Sequence, residues 1–214
     1  MDGNNRWSKQ YNHSQFDAYT KGAKNLIKLT NHLFETYNLR YISAFALSNK
    51  NLKRSPDIIK LLKNVLKYFL DDQKLLSKRK FNIVFKGDMS FLDKYIIAKI
   101  NNIHSSNKKF KNTLVIFINY SGKLDLINSI NNSLLNNKKK FTLKTLQNNL
   151  STSGIPDPDL LIRTGGFQRI SDYMLYQISF TELMFSKKLW PDFQKRDLDN
   201  CINKYNKIER KFGQ

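Results

Sequence analysis

With 214 residues, a formal net charge of +20 and one cysteine, the chain can bury one substantial core and nothing in its composition divides it, so a single domain over 1–214 is expected. Cys201 alone forms no internal disulfide, and with only His13, His32 and His104 no zinc-ligand spacing exists, which excludes disulfide scaffolds and zinc sites. The charge favours partners that carry phosphate, whether nucleic acid, anionic lipid or a diphosphate substrate, although plentiful Lys and Asn, as in Lys50-Asn51, Asn131-Asn132 and Lys138-Lys139-Lys140, also fit a general compositional bias.

No repeat is visible, no apolar run reaches the roughly 18–20 residues of a membrane span, and the start lacks a basic-then-apolar leader pattern. The expectation is a soluble, cytoplasmic protein. Along the chain, short β-rich runs alternate with longer helical patterns, the mark of an α/β domain with a largely parallel sheet.

The opening segment, Met1-Asp2-Gly3-Asn4-Asn5-Arg6-Trp7, crowds a carboxylate, a glycine, two amides and an arginine ahead of a helical stretch. Gly and Asn tolerate backbone that turns amide hydrogens toward an anion, Arg6 adds a fork of donors and Asp2 is able to hold a divalent cation, so the segment suits a diphosphate; it equally suits an ordinary turn. Strands are expected at Tyr41–Leu47, Phe81–Phe85, Leu114–Ile118 and Leu160–Ile162, compact apolar runs close to polar or glycine-containing turns where ligands of such sheets sit.

Ser55-Pro56-Asp57 places a cap, a first-turn proline and an acid at a helix start. That helix continues through Leu70 with an apolar arc wider than one stripe, from Ile58, Ile59, Leu61, Leu62, Val65, Leu66, Phe69 and Leu70, which fits burial between sheet and helix or one wall of a lipid tunnel. Asn101–Lys111 and Asn136–Lys140 are basic, polar and without periodicity, and read as surface connections.

Near the end, Pro156-Asp157-Pro158-Asp159-Leu160-Leu161-Ile162-Arg163-Thr164-Gly165-Gly166 is a strand emptying into a glycine turn, followed by Arg169 and Ser171, a credible second phosphate site. Tyr173–Phe185 is mostly apolar but contains Glu182, whose burial requires a partner or a metal.

In order along the whole chain, these segments resemble the undecaprenyl diphosphate synthase (cis-prenyltransferase) family. Asp2-Gly3-Asn4-Asn5-Arg6-Trp7 is similar to its opening Asp-Gly-Asn-Gly-Arg-Trp motif, and Asp159 to Phe185 to its Arg-Thr-Gly-Gly, Arg-x-Ser and Glu signature. Ser48 to Arg54 resembles a worn Ser-x-Glu-Asn-Trp-x-Arg loop, Asn119-Tyr120-Ser121-Gly122-Lys123 an Asn-Tyr-Gly-Gly-Arg turn, and Leu189-Trp190-Pro191-Asp192-Phe193 and Arg210-Lys211-Phe212-Gly213 match as well. The resemblance implies a single α/β domain whose central, mostly parallel sheet is flanked by helices enclosing an apolar tunnel. It implies a magnesium-dependent homodimer that joins isopentenyl diphosphate to an allylic diphosphate, farnesyl diphosphate by the bacterial-type motifs.

By the same resemblance the allylic diphosphate sits on Gly3, Asn4, Asn5 and Arg6, with Asp2 as essential acid and magnesium ligand. Isopentenyl diphosphate sits on Arg163, Arg169 and Ser171, with Ile170 between them, and Glu182 joins the metal environment across the dimer. Asn51 and Arg54 match the catalytic-loop Asn and Arg, and Trp7, Gln15, Tyr19, Ser48, Asn49, Lys50 and Leu52 fall at the family's other substrate positions. The implied product is a cis-polyprenyl diphosphate serving as a carrier lipid for cell-envelope synthesis, released with peripheral contact at the inner face of the membrane.

Several positions depart from the pattern. Asn5 replaces the motif's second glycine, Gln15 and Ala18-Tyr19 stand where the family has an Arg and a Gly-His pair, Lys50 and Leu52 replace Glu and Trp, and Phe167 replaces an acid, next to Gln168. The family also places a strand before the opening motif, whereas here Met1 coincides with the motif's own methionine, so a domain lacking that first strand is expected. Two other readings compete: a catalytically silent family member serving as a partner subunit, which retention of Asp2, Arg163 and Arg169 opposes, and a nucleic-acid-binding protein, for which no recognised module or cluster of aromatics among the basic residues is present.

Overall fold

The computed structural model describes residues 1–52, 56–107, 110–135 and 141–210, the side chain of Asn51 excepted. Helix α1 (Asn4–Gln10) follows Gly3, which has φ 108°; a β-carbon there would stand 2.8 Å from Leu189 Cδ2, so only glycine fits both the backbone and the space. Helix α2 (Gln15–Thr36) starts at a reciprocal cap in which the Asp17 amide donates to Ser14 Oγ and the Ser14 amide to Asp17 Oδ2.

Strands β1 (Tyr41–Phe45), β2 (Asn82–Lys86) and β3 (Thr113–Phe117) form a parallel sheet in the order β1-β3-β2. Central β3 shows why the pattern works: Leu114 and Ile116 enter the main core on one face, while Val115 and Phe117 meet Tyr120, Tyr173 and Met174 on the other. The main core is closed by α2, α4 (Pro56–Asp71), α6 (Lys94–Ser105) and α9 (Lys195–Tyr205). Among the described residues the remaining α-helices are α3 (Asn49–Leu52), α5 (Gln73–Ser77), α7 (Gly122–Leu135) and α8 (Leu143–Asn149). A second parallel pair, β4 (Leu160–Arg163) with β5 (Glu182–Phe185), is a separate two-stranded sheet among the described residues. The chain is thus an α/β domain with parallel strands and covering helices.

The expected elements sit close to their sequence positions, with physical reasons where they differ. β1 stops at Phe45 rather than Leu47 because the amides of Ala46 and Leu47 both turn to Phe117 O, ending the ladder. The helix expected from Ser55 runs from Pro56 to Asp71, and Ser55 lies outside the described residues. β5 was not foreseen; it is four residues long and its Glu182 is half-buried beside exposed Leu183, so the stretch lacks a continuous apolar run.

The reading of Asn101–Lys111 as a surface connection needs correction. Through Ser105 it is the last turns of α6, capped at the other end by Asp93, with Ile103 buried. Beyond it Asn107 brackets Ile83, accepting from the Ile83 amide and donating to the Ile83 carbonyl, while His104 Nε2 accepts from the Phe85 amide at 3.0 Å. Polar side chains thereby satisfy the free edge of β2, which explains a polar helix end. Residues 106–107 and 110–111 lie outside α-helix and strand, as the surface-connection reading expects, and 108–109 lie outside the described residues. Of the 136–140 stretch, nothing lies within the described residues.

Between α2, α4 and the sheet lies an apolar cavity of about 110 Å³, lined by residues including Tyr19, Leu26, Leu62, Phe69, Phe91 and Ile116. The wide apolar arc of α4 thus serves both a core and a cavity wall. Met1, Asn4 and Trp190 line the same cavity.

Candidate active site

The loops that follow β1, β2, β3 and β4 leave the carboxyl ends of parallel strands, where open α/β sheets place their ligands. The opening segment is fastened to the loop after β4. The Asp2 amide donates to Thr164 Oγ1 at 3.0 Å, Thr164 Oγ1 donates to Asp2 O at 3.1 Å, and the Trp190 amide also donates to Asp2 O. Thr164 was passed over in the sequence except as one letter of a motif; its buried hydroxyl is what joins the two segments.

This junction brings the acid and the arginines together. Asp2 Oδ2 accepts from Arg163 Nη2 at 2.8 Å, and Asp2 Oδ1 lies 3.5 Å from Arg6 Nη2. Burial pushes the Asp2 carboxyl up, but the hydrogen bond and charge of Arg163, with the charge of Arg6, outweigh it and hold the group below the usual carboxylate range. Arg163 also donates through Nη1 to Ser171 Oγ at 2.7 Å and to the Arg169 carbonyl, which aligns the Arg-x-Ser segment with the strand end. Its Nε is buried with no partner among the described residues.

Gly165, with φ +86°, permits the approach of Arg6. A β-carbon there would stand 2.6 Å from Arg6 Nη2 and 3.0 Å from Asp2 O. Asp172, another residue the sequence did not single out, fixes the far end of the loop. It accepts from Ser121 Oγ and from the Lys123 amide, and its carbonyl accepts from the Gly122 amide, so the loop is tied to the start of α7. Ser171 and Asp172 both have positive φ, a tight reversal that no local sequence rule announces.

The other expected positions divide. Asn4 and Asn5, in the first turn of α1, each keep a buried Oδ1 without a partner among the described residues, and Tyr19 lines the apolar cavity. Trp7 is buried and donates through Nε1 to Asp192 Oδ1 at 2.8 Å, holding α1 against the turn at Trp190–Asp192. Gln15 is exposed at the head of α2.

Ser48 bridges to Tyr120, and the Asn49 amide donates to Tyr120 O. Asn49 Nδ2 donates to Asn119 Oδ1, whose Nδ2 in turn donates to Asp88 Oδ2. Lys50 is exposed and Leu52 packs on the main core, while the Asn51 side chain and Arg54 lie outside the described residues. Ile170 is half-buried between exposed Arg169 and Ser171.

Glu182 is not brought to Asp2 within one chain. It pairs with Leu160 at the start of β5, three residues, or roughly 10 Å at strand rise, from the Arg163–Phe185 pair at the other end.

A cluster of arginines around one ionised carboxylate, close to an apolar cavity, defines a site for a molecule with an anionic head and an apolar tail. Comparison with known proteins agrees. Residues 1–213 match the prenyltransferase family described as undecaprenyl diphosphate synthase. An isoprenyl transferase of Thermotoga maritima is 34% identical over 100% of this chain and 94% of its own length. A tritrans,polycis-undecaprenyl-diphosphate synthase (geranylgeranyl-diphosphate specific) of Pyrobaculum aerophilum is 32% identical over 99% of this chain and 92% of its own. The solved lavandulyl diphosphate synthase of Lavandula x intermedia, in complex with dimethylallyl diphosphate, superposes with a TM-score of 0.88 at 28% identity, covering 100% of this chain and 95% of that one. The chain belongs to the undecaprenyl diphosphate synthase family of prenyltransferases, and prenyl transfer is the activity this membership supports.

Proposed function

We propose that the chain lengthens an allylic diphosphate with isopentenyl diphosphate, forming a cis double bond at each addition. The observation that carries this reading is the convergence of Asp2, Arg6, Arg163, Arg169 and Ser171 on one strand end, in a chain whose Met1 and Asn4 also line an apolar cavity.

In this mechanism Gly3, Asn4, Asn5 and Arg6 hold the allylic diphosphate while Arg163, Arg169 and Ser171 hold isopentenyl diphosphate. The allylic carbon–oxygen bond breaks with its electron pair leaving on diphosphate, where Arg6 stabilises the charge. The isopentenyl double bond attacks the allylic carbon, and proton loss from the adjacent methylene forms the new double bond. Apolar walls such as Leu26, Leu62 and Ile116 keep water from the cation. Asn51 and Arg54 belong to the catalytic loop in this reading, with Asp2 or Asn51 and the bound diphosphate assisting the proton loss.

Asp2 fits a hard divalent cation: its carboxyl is held ionised, and magnesium characteristically takes one or two carboxylates together with substrate phosphate oxygens. Glu182 would complete that environment from a second copy of the chain. What magnesium supplies when bound is neutralisation of charge on the departing diphosphate.

A homodimer is supported by α7, which is built inside out. Gly122, Asp125, Ser129 and Ser133 face inward, with Asp125 accepting from Tyr120 and Ser151 and Ser129 donating to Leu146 O, while Leu124, Ile127, Ile130 and Leu134 are exposed. A second copy covering that apolar face accounts for the inversion. Among the described residues no helix is long and apolar enough to cross a membrane. Contact with the membrane is therefore proposed as peripheral, at product release, and the product as a carrier lipid for cell-envelope synthesis.

The test is incorporation of labelled isopentenyl diphosphate onto dimethylallyl, farnesyl and geranylgeranyl diphosphates, with and without magnesium, by the wild type and Asp2→Ala. Magnesium-dependent elongation, best with farnesyl diphosphate and lost in Asp2→Ala, is the expected result. A wild type that is silent with all three starters, yet raises turnover when mixed with an active family member, replaces this reading with that of a partner subunit.

A further inference from the structure

Phe167 stands where the resemblance expects an acid, and the structure gives it an unusual set of neighbours. The guanidinium carbons of Arg169, Arg6 and Arg163 lie 4.1, 4.8 and 5.9 Å from its ring centroid. The turn at Gly165 and Gly166, both at positive φ, is held by their amides donating to Lys188 O and Ser186 O, and it delivers the ring to the arginines. The ring is 41% exposed, so burial of apolar surface does not explain its placement. Among the described residues no carboxylate pairs with the Arg169 guanidinium, which rests on this ring.

Cations gathered in one place repel, and a protein can hold them together with a carboxylate or with the negative face of an aromatic ring. The two devices differ in consequence. A carboxylate occupies the guanidinium donors that an anionic ligand needs, whereas a ring attracts the cation through its flat face and leaves the N–H edge free.

We propose that Phe167 is a positioning residue, a shared cation–π platform that holds Arg6 and Arg169 in place for diphosphate without competing for their donors. The proposal rests on the diphosphate reading above. It assigns a role to a position where this chain departs from its family's pattern.

The experiment is calorimetric titration of the full chain with inorganic diphosphate in the absence of magnesium, on wild type, Phe167→Leu and Phe167→Trp. Leucine keeps an apolar side chain and removes the ring; tryptophan keeps the ring. Phe167→Leu is expected to weaken diphosphate roughly fivefold, with Phe167→Trp within about twofold of wild type. In turnover assays the KM for isopentenyl diphosphate should rise by a similar factor in Phe167→Leu while kcat changes little, a split that general unfolding does not produce. Leucine and wild type binding diphosphate equally, or tryptophan failing as leucine does, overturns the platform and leaves the diphosphate site standing. A wild type that binds no diphosphate overturns the site and the platform together.

Discussion

Two sets of loops at the same ends of the strands are held by opposite means. The loop after β4 is held by charge: Arg163 reaches Asp2 and Ser171, and Arg6 reaches Asp2. The loops after β1, β2 and β3 are held to one another by an amide relay, Asn49 to Asn119 to Asp88, together with backbone bonds to Tyr120. The difference separates two tasks. Charged partners that grip each other can be re-partnered by an incoming anion, so the arginine loop is both framework and receptor. The amide relay, which ends on the Asp88 carboxylate, offers no cation to an incoming anion and acts as framework.

The largest effect should come from breaking the charged side. Arg163→Ala removes the donor to Asp2 and Ser171 at once, and loss of a comparable preorganised donor costs about 10²–10³-fold in turnover; we expect at least that drop in kcat/KM for isopentenyl diphosphate. Arg163→Lys should recover little, because a single ammonium cannot span both partners. The same pair makes a pH prediction. The folded-state Asp2 carboxyl lies below its ordinary 3.8, so its stabilising contribution is complete above that value and is lost as pH falls through the folded-state value. Asp2→Asn should therefore flatten the acid limb of a stability-versus-pH curve below about pH 4, read by urea midpoints.

Next in size is Gly165→Ala, which places a methyl group against Arg6 and strains a left-handed residue. A loss of roughly 1–3 kcal/mol in unfolding free energy is expected, with activity falling further than stability alone explains because Arg6 is displaced. On the relay side Asn119→Gly keeps the positive φ of 50° available and removes both amide bonds, which should cost about 1–2 kcal/mol and leave diphosphate affinity close to wild type. If Asn119→Gly abolishes diphosphate binding while Arg163→Ala does not, the division between the two loop sets is wrong.

How much of this was legible in the sequence follows the same line. Compact apolar runs marked β1 to β4, although only central β3 is buried along nearly its whole length, and the arginine loop was legible because its motif lies in one contiguous stretch. The end of α6 shows its period only together with the helix start, through buried Ile96, Ile100 and Ile103, whereas His104 and, beyond the helix, Asn107 cap the edge of β2, a role that leaves no periodic signal. Thr164 and Asp172 were missed as contributors because their partners are remote in sequence: Asp2 is 162 residues from Thr164, and Ser121 is 51 from Asp172. Phe167 stands out in the sequence only as a departure from the family pattern; Arg163 and Arg169 are its sequence neighbours, but the approach of Arg6 from the other end of the chain is not readable there. Pairings of that kind are set by topology, and composition carries no trace of them.

The smallest effect tests the edge of β2, away from the arginines. His104 Nε2 accepts from the Phe85 amide, a role open only to the neutral ring, and burial followed by the charge of Lys86 lowers its pKa below 6.5. Between those folded and unfolded values the unfolded chain binds more protons, so this contribution is complete above about pH 6.5 and is lost as pH falls through the folded-state value. The wild type should therefore melt at a lower temperature at pH 5 than at pH 7. In His104→Gln the side-chain oxygen can still accept from Phe85 but does not titrate, so the difference should shrink. An unchanged difference would place the pH response with groups other than His104.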